Sequence, residues 1–453
     1  MCETAKENKM GTMPVGKLLV NISLPIIISM LVQALYNIVD SYFVAKLSET
    51  ALTAVSLAFP VQNIMISIAV GTGVGMNAFL SKSLGEKNEN LVHNVANNGM
   101  FLFLLSYVVM AVIGFLFSGT YFSIQTDINE VIKSGTVYTQ ICTIFSIGVF
   151  TQIAFERYLQ ATGKTVYSMI TQLSGAIINI ILDPILIFGL YGFPAMGVAG
   201  AAVATVIGQI CSTVAGFFLN HFFNHEIKLS FKGFRPDFSI IKRIYSVGFP
   251  SILMRSVTSV MSFGMNGILL GFSSTAAAVL GIYMKLESFV LMPVYGLNNG
   301  MVPILAYNYG AKNKDRIIKT IKLSLVGAVC IMLFGFALMQ LFSQEILLIF
   351  NASENMLSIG TVALKIISFQ FLLSAFSIVF NAVFQAFGKG FYSLTVSLIR
   401  QLIVLLPVAF IISKFGKLDL VWLAFPIAEV VSLVTAVFFM KKVYNKNIKP
   451  IEK

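Results

Sequence analysis

Apolar stretches about 20 residues long, separated by short polar connections, recur along this chain from near its start to near its end. We count about twelve, centred near Leu31, Ile66, Leu105, Ile144, Ile177, Val206, Val257, Met292, Val329, Leu372, Val404 and Val431. A chain that is 57% hydrophobic and 11% charged, with 40 Phe against a single Trp, is too apolar for a soluble domain. It belongs in a bilayer. The backbone finds no water there, so every span must satisfy its own hydrogen bonds as a helix, and the expected fold class is all-α, a polytopic membrane protein.

The opening "MCETAKENKMGTMPVGKLL" is polar and lacks the apolar core of a signal peptide, so Leu18 onward reads as the first span. Cys2 follows Met1 without such a peptide ahead of it, which argues against lipid attachment. Cys142, Cys211 and Cys330 lie singly in apolar runs and read as packing residues.

A net charge of +12 raises the question of a nucleic-acid partner, but the placement of the charge answers it. About 23 Lys and Arg fall at the termini and in the even-numbered connections, and about 4 in the odd-numbered ones. That asymmetry places both termini in the cytoplasm. The expected partner of the basic stretch "KLSFKGFRPDFSIIKR" is the anionic face of the lipid bilayer, and no nucleic acid is implied.

The chain also repeats itself. "SLGEKNE" returns as "NYGAKNK", with Gly85 and Gly310 separated by 225 residues (310 − 85). "LQATGKTVYS" returns as "FQAFGKGFYS", and Pro25 of "SLPIIISM" has its counterpart in Pro250, both at the same offset. Shared hydrophobicity alone does not produce three matches at one spacing. We therefore expect an N-terminal six-helix bundle over residues 1–225 carrying a cation site, a basic cytoplasmic linker over 226–243, and a C-terminal six-helix bundle over 244–453. An even number of spans per half gives both halves the same orientation, an arrangement suited to rocking about a central cavity.

Within the first span, Gln33, Asn37 and Asp40 stand at i, i+4 and i+7 and form one polar stripe on a helix. Asn179 and Asp183 repeat the pattern in the fifth span. A charge at mid-bilayer costs roughly 2.5 to 3.5 kcal/mol on insertion scales, so both aspartates should face an internal cavity. No Lys or Arg lies at helical spacing from either within its own span. Two readings of their neutralisation follow: a shared proton, or a small cation held by oxygen ligands. Asp40 and Asp183 are metal ligands only in the second case. Pro184, directly after Asp183, opens carbonyls beside it, while Pro25 and Pro250 are placed to kink or hinge their helices.

The carboxylate pair has no counterpart in the second half, where the offset puts Met265 opposite Asp40 and Val408 opposite Asp183. That half offers Glu287, opposite Gln62, as a cavity-facing residue for substrate, and Glu429 near the last span. Arg255, Lys365 and Arg400 either pair with these acids or reach for the interface, and Glu156 with Arg157 read as interfacial. Met254, Met261, Met265, Met284, Met292 and Met301 would make an adaptable apolar surface for varied ligands, or ordinary core.

"ALYNIVDSYFVAKL", "SKSLGEKN", "NIILDPILIFG" and "GVAGAAVAT", in two parallel six-span halves, resemble the multidrug and toxic compound extrusion (MATE) transporters over nearly the whole chain. The resemblance implies a secondary antiporter of the cell membrane, not an enzyme, that exports organic, often cationic or amphiphilic, drugs in exchange for H+ or Na+. It implies no cofactor beyond the coupling ion, and we expect a monomer. The family's cation pattern falls on Asp40, Asn179, Asp183 and Thr205, and substrate contacts are expected at Gln33, Tyr36, Asn37, Gln62, Met265, Glu287 and Met292. A lipid-linked saccharide flippase of the same superfamily is the rival, which should line its cavity with Arg or Lys to hold pyrophosphate. His93, His221 and His225 make no catalytic grouping with other residues of the spans.

Overall fold

The computed structural model describes residues 8–451, which form helices and connecting turns with no strand; Cys2 lies outside them. Among the described residues ten helices are long and apolar enough to cross a membrane, and two bent pairs, counted as one span each, bring the number to twelve. Spans one to six are Val15–Ala45, Glu49–Gly85, Glu89–Gln125, the pair Asn129–Ile144 and Ile147–Ala161, Thr165–Phe188, and Val198–Phe223. Spans seven to twelve are Phe238–Leu270, Ser274–Gly310, Lys314–Leu341, the pair Glu354–Ser368 and Gln370–Ala386, Gly390–Ser413, and Leu418–Ile448.

The internal repeat is written into the backbone. Ser48 caps span two by accepting from Ala51 N, and Ser273 caps span eight by accepting from Ala276 N. Asn88 and Asn313 cap spans three and nine in the same way. Each cap satisfies an amide that the first turn leaves without a helical partner. Lys87 and Lys312, both at φ 54°, make the left-handed turn before those Asn caps, and Gly163 and Gly388 make another at φ 79° and 72°. Even the bends correspond: span four breaks by 43° and span ten by 45°.

The linker is shorter than the composition suggested. Asp237 accepts from the amides of Ser239 and Ile240, so span seven starts at Phe238 and residues 238–243, read as linker, belong to its first turns.

The polypeptide near both described termini gathers at one end of the bundle. A short helix, Lys9–Thr12, with Met10 fully buried, lies across that end. Asn8 donates to Thr162 O at 3.2 Å and to both carboxylate oxygens of Glu226 at 3.1 and 2.9 Å. From the second half, Arg316 donates to the carbonyls of Met10 and Met13, each at 2.8 Å, and Asn308 to Met10 O at 3.2 Å. Lys314 holds the other terminus through the carbonyls of Lys449 and Ile451. Glu226, in the connection after span six, has its carboxyl pushed above the ordinary range by burial, an effect Lys164 partly offsets.

At this same end the halves close on each other through glycines. A Cβ on Gly71 of span two would stand 3.0 Å from the Gly248 carbonyl of span seven, and one on Gly75 would stand 2.9 Å from Gly248 N. Gly85 and Gly310 are reciprocal: a Cβ on the first would run into Tyr307 O, and on the second into Lys82 O. Small residues let helices approach this closely in a membrane. Span one meets span eight of the other half where Ser23 packs on Gly300 and Ile27 on Gly296, and beyond Ser29 it has no buried residue until Val44. The molecule is thus sealed where its termini lie, with a cleft opening at the other end.

Candidate functional site

Span one contains Pro25, whose missing amide leaves Asn21 O without a helical donor. The hydroxyl of Thr165, at the start of span five, donates to that carbonyl at 3.3 Å. Spans one and five are therefore joined near the sealed end, and farther along they carry Asp40 and Asp183. Spans five and six approach through Gly175 and Gly208, where a Cβ on Gly208 would stand 2.8 Å from Gly175 O. That approach brings Asn179 Nδ2 to within 3.4 Å of Thr205 Oγ1, and the same amide donates to Asp183 Oδ1 at 3.3 Å.

Asp183 is fully buried and Asn179 is 2% exposed. Among the described residues, Asp40 Oδ1, Asp183 Oδ2 and Asn179 Oδ1 are buried without a hydrogen-bond donor. Unpartnered buried acceptors are costly, so three of them in one neighbourhood, two on carboxylates, fit a group that brings positive charge. A proton on one carboxylate, or a small hard cation taking several oxygens, meets that need. The residues fit either ion.

Beside this group is a cavity of about 170 Å³ at the foot of the cleft. Gln33, Tyr36, Asn179 and Thr205 line it, together with residues the sequence did not single out: Gln152, Gln160, Gln172, Gln209 and Asn299. Gln172 donates to Gln33 at 3.0 Å across spans five and one. Glu156, Arg157 and Arg255 line it too, which corrects their reading as interfacial or unplaced residues. Glu156 is only 9% exposed and accepts from Gln152 at 2.9 Å, while Arg157 donates to Gln160 at 2.7 Å and packs over Gly73. A signal was present: Gln152, Glu156 and Gln160 are spaced i, i+4 and i+8 on one face of span four.

Other expected substrate residues sit elsewhere. Asn37 is exposed and does not line this cavity, although Tyr36 beside it does. Gln62 points into its own half, donating to Tyr138 at 3.2 Å. Met265 is fully buried in the apolar core of the second half, where the flexible thioether fills space, so a direct substrate contact in this state is corrected. Met292 is half-buried, and Met261 and Met301 are core as well.

Glu287 also lies outside the cavity. It accepts from Gln370 at 3.1 Å, and Gln370 is bonded in turn to Tyr283. Arg400, in a π-helical stretch Ile399–Leu405 of span eleven, pairs with the fully buried Glu429 of span twelve at 3.2 Å. The open choice between pairing and snorkelling is decided for Arg400. Lys365 is exposed.

Two six-span halves around a cleft, with a buried carboxylate site at its foot, define a two-bundle membrane protein. The chain belongs to the MatE family, which matches residues 25–185 and again 250–411. It is 30% identical over 435 residues to the multidrug export protein MepA of Staphylococcus haemolyticus (strain JCSC1435), covering 95% of this chain and 94% of that protein. It is 27% identical to MepA of Staphylococcus aureus (strain MRSA252), covering 90% of each. Its fold is that of a solved multidrug resistance MATE transporter of the MOP superfamily in an outward-facing conformation, with a TM-score of 0.90 at 24% identity over 99% of this chain and 100% of that one.

Proposed function

We propose that the protein exports organic cations and amphiphilic drugs or toxins across the cell membrane by alternating access, as a monomer, in exchange for H+ or Na+. The observation that carries this reading is the trio of unpartnered buried oxygens on Asp40, Asn179 and Asp183 beside the cavity at the foot of the cleft. The full-length likeness to proteins named as multidrug exporters supports it. The clustering of Lys and Arg on the side of the termini supports a cytoplasmic placement of both, so the cleft would face outward.

In that state a cation enters the cleft and neutralises Asp40 and Asp183, with Asn179 and Thr205 as further oxygen donors if the ion is Na+. Span one, which has no buried residue between Ser29 and Val44, repacks and the drug leaves outward. On return the cation is discharged inward. A ligand shifts such an equilibrium only through its different affinities for the two states, so coupling and binding should fail together.

The rival flippase reading needs a cavity that holds pyrophosphate. Arg157 and Arg255 are the cations among the lining residues, and Glu156 leaves them with a single net positive charge. That falls short of a dianion, and the relatives are named as exporters. The deciding experiment is uptake of a fluorescent organic cation into proteoliposomes under a pH gradient and, separately, a sodium gradient. Uptake driven by one gradient and lost in Asp183→Asn establishes antiport and names the ion; no gradient-dependent movement by folded protein overturns the reading.

A further inference from the structure

We propose that the groove between spans one and five at the sealed end binds one anionic glycerophospholipid, its phosphate held by Lys9, Lys17 and Asn21 and an acyl chain lying along Val20, Leu24 and Val166. The groove shares no lining residue with the cavity at the foot of the cleft, so the inference does not depend on what is exported.

The groove has a volume of about 610 Å³, and Lys17, Val20, Asn21 and Leu24 of span one line it with Val166 of span five. Lys17, Asn21 and Leu24 stand at i, i+4 and i+7, one stripe of the helix, with Val20 beside them. The stripe is graded. Its polar end lies at the start of the span, and seven residues farther, about 10 Å deeper, it is apolar. Val20 is 62% exposed, Leu24 51% and Val166 42%. Single exposed aliphatic residues are ordinary at membrane depth. Here two helices shape them into a groove whose gradient runs as a phospholipid does, from headgroup to chain.

Positive charge gathers at the polar end without a counter-ion. Lys9, on the short helix across the sealed end, donates to Asn21 Oδ1 at 2.9 Å and packs over Gly163, where a Cβ would stand 3.1 Å from its Cε. Lys164, next to Gly163 in the chain, donates to Asn224 Oδ1 at 3.4 Å. Lys17 has no hydrogen-bond or ion-pair partner among the described residues, and neither Lys9 nor Lys164 is ion-paired there. Glu226 accepts from Asn8 instead. Burial, together with the nearness of Lys164, holds the Lys9 ammonium below its usual range. The Asn21 side chain gives its oxygen to Lys9 and keeps its amide to donate.

A lipid phosphate accepts from ammonium and amide together, and basic pockets beside membrane helices recognise anionic headgroups in this way. A zwitterionic lipid carries its own ammonium toward the lysines and gains less. Seated there, the anionic lipid ties the short helix to spans one and five, and so stabilises the folded protein by mass action.

The test titrates the purified full-length protein with phosphatidylglycerol, with phosphatidylcholine of the same acyl chains, and with sn-glycerol 3-phosphate, which has the phosphate without the chains. Native mass spectrometry counts bound molecules, and thermal unfolding follows stabilisation. Wild type should retain one phosphatidylglycerol about ten-fold more tightly than phosphatidylcholine and unfold at a higher temperature with it. Lys17→Gln should weaken that retention about ten-fold. Val166→Trp, which keeps all three lysines but fills the groove from an exposed position, should weaken it as well. Lys365→Gln, at an exposed lysine of span ten, should leave it unchanged.

Equal retention of both lipids by wild type overturns the site, a result that needs no variant to fold. Phosphatidylglycerol held equally by wild type, Lys17→Gln and Val166→Trp, or weakened as much by Lys365→Gln, would mean that the lysines only reach into bulk headgroups. Glycerol 3-phosphate binding as tightly as the lipid would make this a site for soluble phosphates and would overturn the assignment to a phospholipid.

Discussion

The two halves share one backbone plan and neutralise their buried acids in opposite ways. In the first, Asp40 and Asp183 face no arginine or lysine at hydrogen-bonding distance, and oxygens of both stand unpartnered among the described residues. In the second, at the 225-residue offset, Met265 and Val408 replace those aspartates, while Arg400 replaces Gly175 and Glu429 replaces Ala204. Glu429, the fully buried acid of the second half, thus has its counter-charge within the protein, at 3.2 Å. The acids of the first must borrow theirs. A fixed pair holds a bundle in one state, whereas a site that needs a mobile cation can report whether that cation is present. On the proposed export reading, one duplicated fold has a responsive half and a static one.

Replacing Asp183 by Asn should break that contrast most severely. The variant keeps side-chain volume and the neighbourhood of Asn179 but removes the charge that a cation neutralises, so gradient-driven export in proteoliposomes should fall by about ten-fold or more. Pumping at the wild-type rate, with unchanged ion dependence, would remove the first half from the coupling mechanism.

On the static side, Arg400→Met should destabilise the protein by roughly 3–5 kcal/mol, because it leaves Glu429 buried and uncompensated. The double change Arg400→Met with Glu429→Met should recover most of that loss. Thermal unfolding in detergent measures both, and a double variant no more stable than the single one would show that the pair is not the reason for the loss.

A smaller effect is expected at the proline hinge. Thr165→Val removes the hydroxyl that serves the Asn21 carbonyl freed by Pro25, at a cost of about 1 kcal/mol. The second half meets the same need differently: its counterpart of Thr165 is Gly390, which lets backbone come close to Ser246 O instead. Gly390→Thr should therefore not be neutral, and equal tolerance of both substitutions by the thermal assay would erase this difference between halves.

The smallest expected effect is at the strap of the sealed end. Burial raises the Glu226 carboxyl above its ordinary value of 4.5. The folded state then binds the proton more tightly than the unfolded one, so this contribution is complete below about pH 4.5 and is lost as pH climbs through the raised value. Glu226→Gln should flatten the corresponding decline in a pH series of unfolding temperatures; an unaltered slope would exclude Glu226 as its source.

Much of the candidate site could be read from spacing. Asn179 and Asp183 lie four residues apart, so any helix must put them on one face, and the amide does donate to the carboxylate. Where reading failed, the cause was rotation and partner choice. Asn37 belongs to the same stripe as Gln33, yet of the two only Gln33 lines the cavity, because how far along a helix a cavity extends is set by the spans packed around it. Met265 was grouped with the other methionines by composition, but it lies in the core. Glu156 and Arg157 looked interfacial by their place near the end of span four, but they line the cavity between the halves.

By itself the sequence determined the class of fold, the number of spans and the duplication. These follow from local requirements: apolar length fixes a membrane helix, unsatisfied backbone forbids anything but a helix, and caps recur wherever their short motifs recur. Only the tertiary structure decided which charges meet. Arg400 found Glu429 twenty-nine residues away, and Arg157 and Arg255 came to one cavity from opposite halves. Such pairings depend on helix rotation, on bends and on glycine-permitted approach between spans distant in the chain. No local periodicity encodes those quantities.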